Sequence, residues 1–367
     1  MTETSGSTRR GALWVFVAAA IVIALGAIGY LAWTRSSQQT AAADLRVSVP
    51  PFVDTAFTQV GVEKGLFGPL NPRIKLVDTT WENQYDVLSG GGLDVSMSTL
   101  DEFVNKSRNL AAAGKPVVFV LPAWKFRGLG FYAAKGVRPY SDFTGPNAKA
   151  DFLAQLRGKK VVVPDGSVFA QALRAFVEGS GVAYDDLQLV NASLDSAMNS
   201  LADSSVAVVA VGSQQRFEAE RRGYVEAISP EALGLDVITG FVTPEAVWKT
   251  RKADVIAFAC GWYKTTALVT QDPRLAYATT NAYLVSRGAS NLTFEEYSAL
   301  RAYNVLPRSP AEATGLFIAQ DGGANWKKVW DRSVKAMTDA GKTGEAPANT
   351  DQFVAPQVIS EAAASCR

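Results

Sequence analysis

The stretch LRGKKVVVPDGS, residues 156–167, decides the fold, because a short apolar strand in it runs directly into the start of a helix. The strand is predicted at 161–163, the residues Pro164 to Gly166 break it, and Ser167 is placed to cap the next helix. The same unit recurs twice, with strands predicted at 187–190 and 206–211 and a helix after each. Strands that alternate with helices predict an α/β fold with a mostly parallel sheet.

A ligand site is predicted where these strands end, because α/β sheets bind ligands beyond the carboxyl ends of their strands. The candidate ligand-binding residues follow a predicted strand or stand beside one as an aromatic wall. They are Phe52, Asp54, Trp81, Ser98, Thr99, Trp124, Ser167 and Gln214. Some have a structural alternative, since Asp54 also fits a helix N-cap and both tryptophans also fit core packing. Glu82 is interpreted as a solvated side chain.

The composition narrows the function classes. The chain has 367 residues, 48% of them hydrophobic, with a formal charge of +1 and no histidine. It is long enough for one or two substantial cores, and it lacks the basic excess of nucleic-acid-binding proteins. The absence of histidine excludes Ser-His-Asp and Cys-His nucleophile systems and imidazole metal sites. Carboxylate, lysine or tyrosine chemistry stays open, but the usual proton-transfer residue at neutral pH is absent. We predict no catalytic residue, no metal site and no cofactor.

The amino terminus contains a segment of membrane-spanning length. Residues 1–10 are predicted as a cytoplasmic tail that ends in Arg9 and Arg10, and residues 11–34 carry no charge. A bilayer-spanning helix needs about 20 such residues, and the arginines favour a cytoplasmic amino terminus. A cleaved signal peptide is the alternative. Residues 35–44 are predicted as a linker, and both alternatives export the chain beyond it.

The exported part is predicted to form two lobes. One α/β unit ends near residue 134 and another begins at 157, while helical patterns dominate beyond 242. We assign 45–130 and 239–367 to the first lobe and 131–238 to the second. Cys260 and Cys366 lie in an oxidising setting, but Cys260 is in a predicted buried helix and Cys366 is next to the terminus, so the sequence leaves their pairing open.

Three glycine-marked pieces carry a family resemblance: VEKGLF at 62–67, GLDV at 92–95 and LRGKKV at 156–161. The chain resembles the substrate-binding proteins of ABC importers over about 45–316. Within them it is similar to the nitrate, sulfonate and taurine type, which includes binders of thiamine pyrimidine precursors. The resemblance implies a periplasmic-binding-protein-like fold of type 2, with two lobes joined by crossing strands near 129–134 and 238–242.

The function implied is that of an extracytoplasmic, periplasmic solute-binding protein. The amino terminus departs from the usual pattern of this family, and the helix predicted at 11–34 would hold the protein at the inner membrane. Its partners would be a small-molecule solute and an ABC permease with its ATPase subunit. The alternatives are an enzyme on the same fold that acts on a small heterocyclic substrate, and a membrane-tethered solute sensor. Arg127 is the only guanidinium near the predicted strand ends, so the expected solute is neutral or cationic and heteroaromatic rather than a sulfonate or nitrate.

Overall fold

The predicted strand and helix units are present in the structure, a computed structural model that describes residues 43–165, 167–233, 237–289, 291–339 and 352–366. The segment predicted to span the membrane, 11–34, and the tail 1–10 lie outside these residues, and the linker 35–44 is described only from residue 43. Within the described residues, no helix is both long and apolar enough to cross a bilayer.

The strands are β1 Leu45–Val49, β2 Ile74–Asp78, β3 Ser96–Thr99, β4 Val117–Phe126, β5 Gly130–Ala133, β6 Lys160–Val162, β7 Gln188–Val190, β8 Val206–Val211, β9 Val225–Ile228, β10 Val237–Pro244 and β11 Asn304–Val305. The first part of the chain has the helices α1 Phe57–Glu63, α2 Gln84–Ser89, α3 Leu100–Ala112, α4 Ala148–Ala154, α5 Val168–Val177, α6 Leu194–Ser200, α7 Ser213–Arg221 and α8 Pro230–Leu233. The remainder has α9 Glu245–Thr250, α10 Lys252–Gln271, α11 Pro273–Ser286, α12 Phe294–Ala302, α13 Pro310–Ala313, α14 Trp326–Asp339 and α15 Ala355–Ser365.

The unit around residue 160 builds one sheet, in the order β7-β6-β8-β5-β9. Strand β6 pairs in parallel with β7 and β8, as the sequence predicted, because a helix connects each strand to the next. Strand β5 is antiparallel to β8 and β9. We call this sheet with its helices the second lobe.

The remaining strands form the first lobe. One sheet has the order β11-β4-β10-β3 with antiparallel pairs, and β1 pairs in parallel with β2 beside it. The chain leaves this lobe between β4 and β5 and returns between β9 and β10. The helices after β10 pack on this lobe, and the short strand β11, which was not expected, lies among them.

Aromatic side chains pack together in the core of the first lobe. Trp124 on β4, Phe241 on β10 and Trp262 on α10 are fully buried, with ring centroids 4.9 to 6.4 Å apart. A disulfide joins Cys260 on α10 to Cys366 just after α15, which settles the pairing that the sequence left open. The helix α15 is therefore held covalently to α10.

Candidate functional site

A cavity of about 260 Å³ lies between the lobes, where the first lobe faces the strand ends of the second. Its wall is mostly apolar with a few charged and hydroxyl groups, as in small-molecule sites. The lining residues are Phe52, Asp54, Trp81, Glu82, Thr99, Glu102, Lys106, Phe126, Leu129, Pro164, Asp165, Ser167, Val168, Phe169, Leu194, Gly212, Ser213 and Thr239.

Asp54 reaches this wall from the turn between β1 and α1. The Thr55 hydroxyl holds the turn, because it accepts from the Phe52 N–H at 3.2 Å and donates to the carbonyl oxygen of Pro50. The helix begins only at Phe57, with Ala56 at its N-cap and no side-chain cap. The alternative that Asp54 caps this helix is therefore wrong, since the extra turn directs its side chain to the cavity.

The Asp54 carboxylate is buried and has no cationic partner among the described residues. Asp54 is 8% exposed, and Oδ1 of its carboxylate accepts a hydrogen bond from the Thr55 N–H at 3.1 Å. No Lys or Arg of the described residues is among the causes of its pKa shift. Burial raises the pKa of Asp54 to about 6, against the opposing effect of the Asp54 and Thr55 N–H groups and the Trp124 indole. A buried carboxylate in this state favours a ligand that brings a positive charge or a strong hydrogen-bond donor.

Trp81 and Glu102 form the neighbouring part of the wall. The indole Nε1 of Trp81 donates to both carboxylate oxygens of Glu102, at 3.0 and 3.1 Å. The Phe52 ring meets Trp81 edge to face, with centroids 6.2 Å apart. The hydrogen bond fixes the indole plane, so these two rings present a rigid aromatic surface to the cavity.

The Glu102 side chain reaches the cavity because only one of the two hydrogen bonds of a capping box is formed at the N-terminus of α3. The Thr99 hydroxyl accepts from the Glu102 N–H at 3.2 Å. In a full capping box the Glu102 carboxylate would return to the Thr99 N–H. Here it turns to Trp81 instead, and Thr99 itself lines the cavity.

Glu102 also has a raised pKa, and burial is the main cause. The Trp81 hydrogen bond and the charge of Lys106 lower the pKa, while the charge of Asp101 raises it. Lys106, one helical turn further on, lies over the Tyr85 ring with Nζ 4.7 Å from the centroid. The first-lobe wall thus contains two carboxylates of raised pKa and one ammonium group that stacks on a ring.

The second lobe contributes helix starts and apolar surface. Ser167 caps α5, accepting from the Ala170 N–H at 3.3 Å, and its hydroxyl donates to the Pro164 carbonyl at 2.6 Å. Ser213 lines the cavity at the start of α7. The side chain of the next residue, Gln214, lies outside the described part of the structure.

Ser98 and Trp124 are close to the cavity but are not part of its wall. The Ser98 hydroxyl accepts from the Tyr85 hydroxyl and donates to the Thr99 carbonyl, both at 2.8 Å, and the side chain is fully buried. Trp124 packs in the first-lobe core, and its indole N–H has no hydrogen-bond partner of ordinary geometry among the described residues. Their predicted contact with a ligand stays a prediction.

The sequence prediction did not include Glu102, Lys106 or Phe169. A signal for Glu102 was present, because Thr99 and Glu102 have the capping-box spacing directly after a strand end. Lys106 follows one helical turn later and therefore shares the Glu102 face. Among the described residues, no group of three or more His, Cys, Asp or Glu side chains is arranged to hold a metal ion.

Comparison with known proteins finds one family model and several solved structures that the chain resembles. The family model described as NMT1/THI5 like matches residues 143–276. No curated protein matches the chain in sequence. The ligand-binding component of an ABC-type import system from Staphylococcus aureus, solved with zinc bound, has 13% identity and a TM-score of 0.61 over 87% of this chain and 99% of that chain.

Two further solved structures have similar scores. The periplasmic nitrate-binding protein NrtA from Synechocystis PCC 6803 has 14% identity and a TM-score of 0.61 over 89% of each chain. The periplasmic aliphatic sulphonate-binding protein from Escherichia coli has 12% identity and a TM-score of 0.60 over 84% of this chain and 93% of that chain. The resemblance predicted from the sequence is thus confirmed, and the chain has the two-lobed type 2 fold of periplasmic binding proteins.

Proposed function

We propose that the chain is an extracytoplasmic solute-binding protein that passes a small molecule to an ABC permease and its ATPase subunit. The observation that carries this proposal is a cavity walled by both lobes, with a largely apolar surface and a few polar groups. The lobes, 45–130 with 239–367 and 131–238, would close around the ligand and exclude water. The similar structures named for nitrate, sulphonate and import-system ligands support it.

The ligand would contact side chains from both lobes. We propose Phe52, Asp54, Trp81 and Thr99 on the first lobe and Ser167 on the second. Ser98 and Trp124 would act from behind the wall by holding Thr99 and Asp54 in place, and Gln214 follows Ser213 at the second-lobe edge.

The attachment to the membrane is also a proposal. Residues 11–34 would span the inner membrane once and leave the lobes on the periplasmic side, or they would be removed as a signal peptide. Amino-terminal sequencing of the protein purified from membranes decides between the two. A mature start near Met1 supports the anchor, and a start near Asp44 supports cleavage.

Binding without chemistry is the central test. The full chain is screened by thermal shift against sulfonates, nitrate, pyrimidines and amines, and each stabilising compound is then incubated with the protein and recovered. We expect at least one compound to raise the melting temperature and to be recovered unchanged. If no compound of any charge stabilises the protein, the proposal loses its basis.

An enzyme on the same fold is the second candidate, and the state of Asp54 is the observation that favours it. A carboxylate whose pKa is raised to about 6 in a cavity is suited to act as a general base. The same incubation separates the candidates, because conversion of the bound compound that is lost in Asp54→Asn would indicate catalysis.

A further inference from the structure

We propose that the cavity selects an organic cation, with its ammonium group held by Asp54 and Glu102 and its apolar or aromatic body held by the ring surfaces of both lobes. This inference rests on the proposed solute-binding function and names the chemical class of its ligand. It departs from the nitrate and sulphonate ligands in the names of two similar structures, because those ligands are anions.

The charges of the wall are the first observation. Its acidic residues are Asp54, Glu82, Glu102 and Asp165, and its only basic residue among the described residues is Lys106. An anion would need several cationic or N–H donors at the wall, whereas it would here meet an excess of carboxylates. The one ammonium group already lies over the Tyr85 ring.

Burial of an unmatched carboxylate is the second and independent observation. Asp54 is 8% exposed and lines the cavity. Among the described residues, the one donor that meets ordinary hydrogen-bond geometry to its carboxylate is the adjacent Thr55 N–H. A buried carboxylate without a countercharge is costly to a fold unless a ligand supplies that charge. Glu102 has only the Trp81 indole as its side-chain donor, so its oxygens retain acceptor capacity.

The distribution of charge between the lobes sets the orientation of the ligand. Three of the four wall carboxylates, Asp54, Glu82 and Glu102, belong to the first lobe. The second lobe contributes one carboxylate, Asp165, beside the apolar Val168, Phe169 and Leu194. The ammonium group therefore binds the first lobe, and the second lobe closes over the apolar body. Trp81, fixed by Glu102, adds a cation–π surface beside the carboxylates.

The test uses probes that differ only in the charged group. The full chain is titrated calorimetrically with three sets, each an ammonium compound, an alcohol and a sulfonate on one scaffold: benzyl, pyrimidinylmethyl and butyl. We expect the ammonium member to bind about 10-fold or more tightly than the alcohol and sulfonate of its set. A sulfonate or alcohol that binds most tightly would overturn the cation proposal and leave the solute-binding function standing. No binding by any probe would count against both.

Variants locate the charge. Asp54→Asn and Glu102→Gln keep the side-chain shapes, and each should weaken the ammonium probe by about 10- to 100-fold while changing the alcohol by less than about threefold. Glu295→Gln removes an exposed carboxylate on α12, outside this wall, and is the control, with less than about a threefold effect. Circular dichroism confirms folding of each variant. Equal losses for ammonium and alcohol probes would overturn the assignment of these carboxylates.

Discussion

At the scale of the single residue, Asp54 combines a structural cost with a binding role. Its carboxylate is buried beside the cavity, and its pKa is raised from 3.8 to about 6. The folded protein therefore binds this proton more tightly than the unfolded chain does. The stability linked to the proton is fully present below about pH 4 and is lost as the pH rises through about 6.

The first prediction is that Asp54→Asn stabilises the ligand-free protein at neutral pH. The pKa shift corresponds to about 3 kcal/mol at pH 7, and Asn retains the oxygen that accepts the Thr55 N–H. Urea unfolding of the full chain should show a gain of up to about 3 kcal/mol at pH 7 that shrinks toward zero near pH 4. Glu82→Gln is the control, and a loss of stability at pH 7 in Asp54→Asn would contradict the prediction.

The second prediction is a pH dependence of cation binding. An ammonium probe requires ionised Asp54, so its affinity should fall by up to about tenfold per pH unit below about 6. The other charged groups at this wall are Glu82, Glu102, Lys106 and Asp165, and the Trp124 indole behind the wall lowers the pKa of Asp54. Calorimetry of benzylammonium between pH 5 and 7.5 measures the slope, and Asp54→Asn should flatten it. An identical slope in the variant would assign the titration to another group.

Ser98 and Thr99 show the limit of sequence reasoning at this scale. Both follow a predicted strand, and the sequence therefore offered both as ligand contacts. Successive side chains of a strand point to opposite faces, however, so only one of the two can line the cavity. Thr99 lines it, and Ser98 is buried with Tyr85 behind it. The position at which the strand ends decides which of the two side chains lines the cavity. A single sequence does not define that position to one residue.

At the scale of the element, the alternation of strands and helices was predictable because each element has its own apolar period and stop signal. The parallel strands β6, β7 and β8 and the Ser167 cap follow from residues 156–211 alone. The role of Glu102 could not be predicted from the sequence. Its spacing from Thr99 predicts a capping box, but the Glu102 side chain turns to Trp81 instead. That choice depends on an indole 21 residues away in the sequence.

The third prediction concerns the packing of α10 against Phe67. A Cβ atom at Gly261 would lie 2.1 Å from Cδ1 and 2.8 Å from Cα of Phe67, so backbone as well as the ring must move. We expect Gly261→Ala to lower the free energy of unfolding by about 1 to 3 kcal/mol. Gly315→Ala, where nothing lies within 4 Å, is the matched control and should be nearly neutral. Thermal unfolding measures both, and equal stability would show that α10 accommodates the methyl group.

At the scale of the whole molecule, contacts between distant parts of the sequence hold the first lobe together. The first lobe is discontinuous in sequence, since β10 and the helices after it pack on β3 and β4. Ser333 on α14 donates to the buried Asp101 of α3 at 2.6 Å, which ties the late helices to the early ones. The sequence prediction assigned these helices to the first lobe because long strand patterns are absent after 242, and the lobe boundaries stay a prediction. The disulfide was not, because bonding needs two side chains brought together over 106 residues.

The last prediction is that the Cys260–Cys366 bond stabilises the first lobe without taking part in binding. The bond closes a loop of 106 residues, for which chain entropy gives about 4 to 5 kcal/mol at most. Val358, Ile359 and Ala362 bury α15 against the core independently of the bond, so part of the ordering survives its removal. We expect the double variant Cys260→Ala with Cys366→Ala to lose about 2 to 4 kcal/mol in urea unfolding and to keep its affinity for the ammonium probe. Thiol titration of the denatured, unreduced full chain should find no free thiol, and two free thiols would contradict the bond.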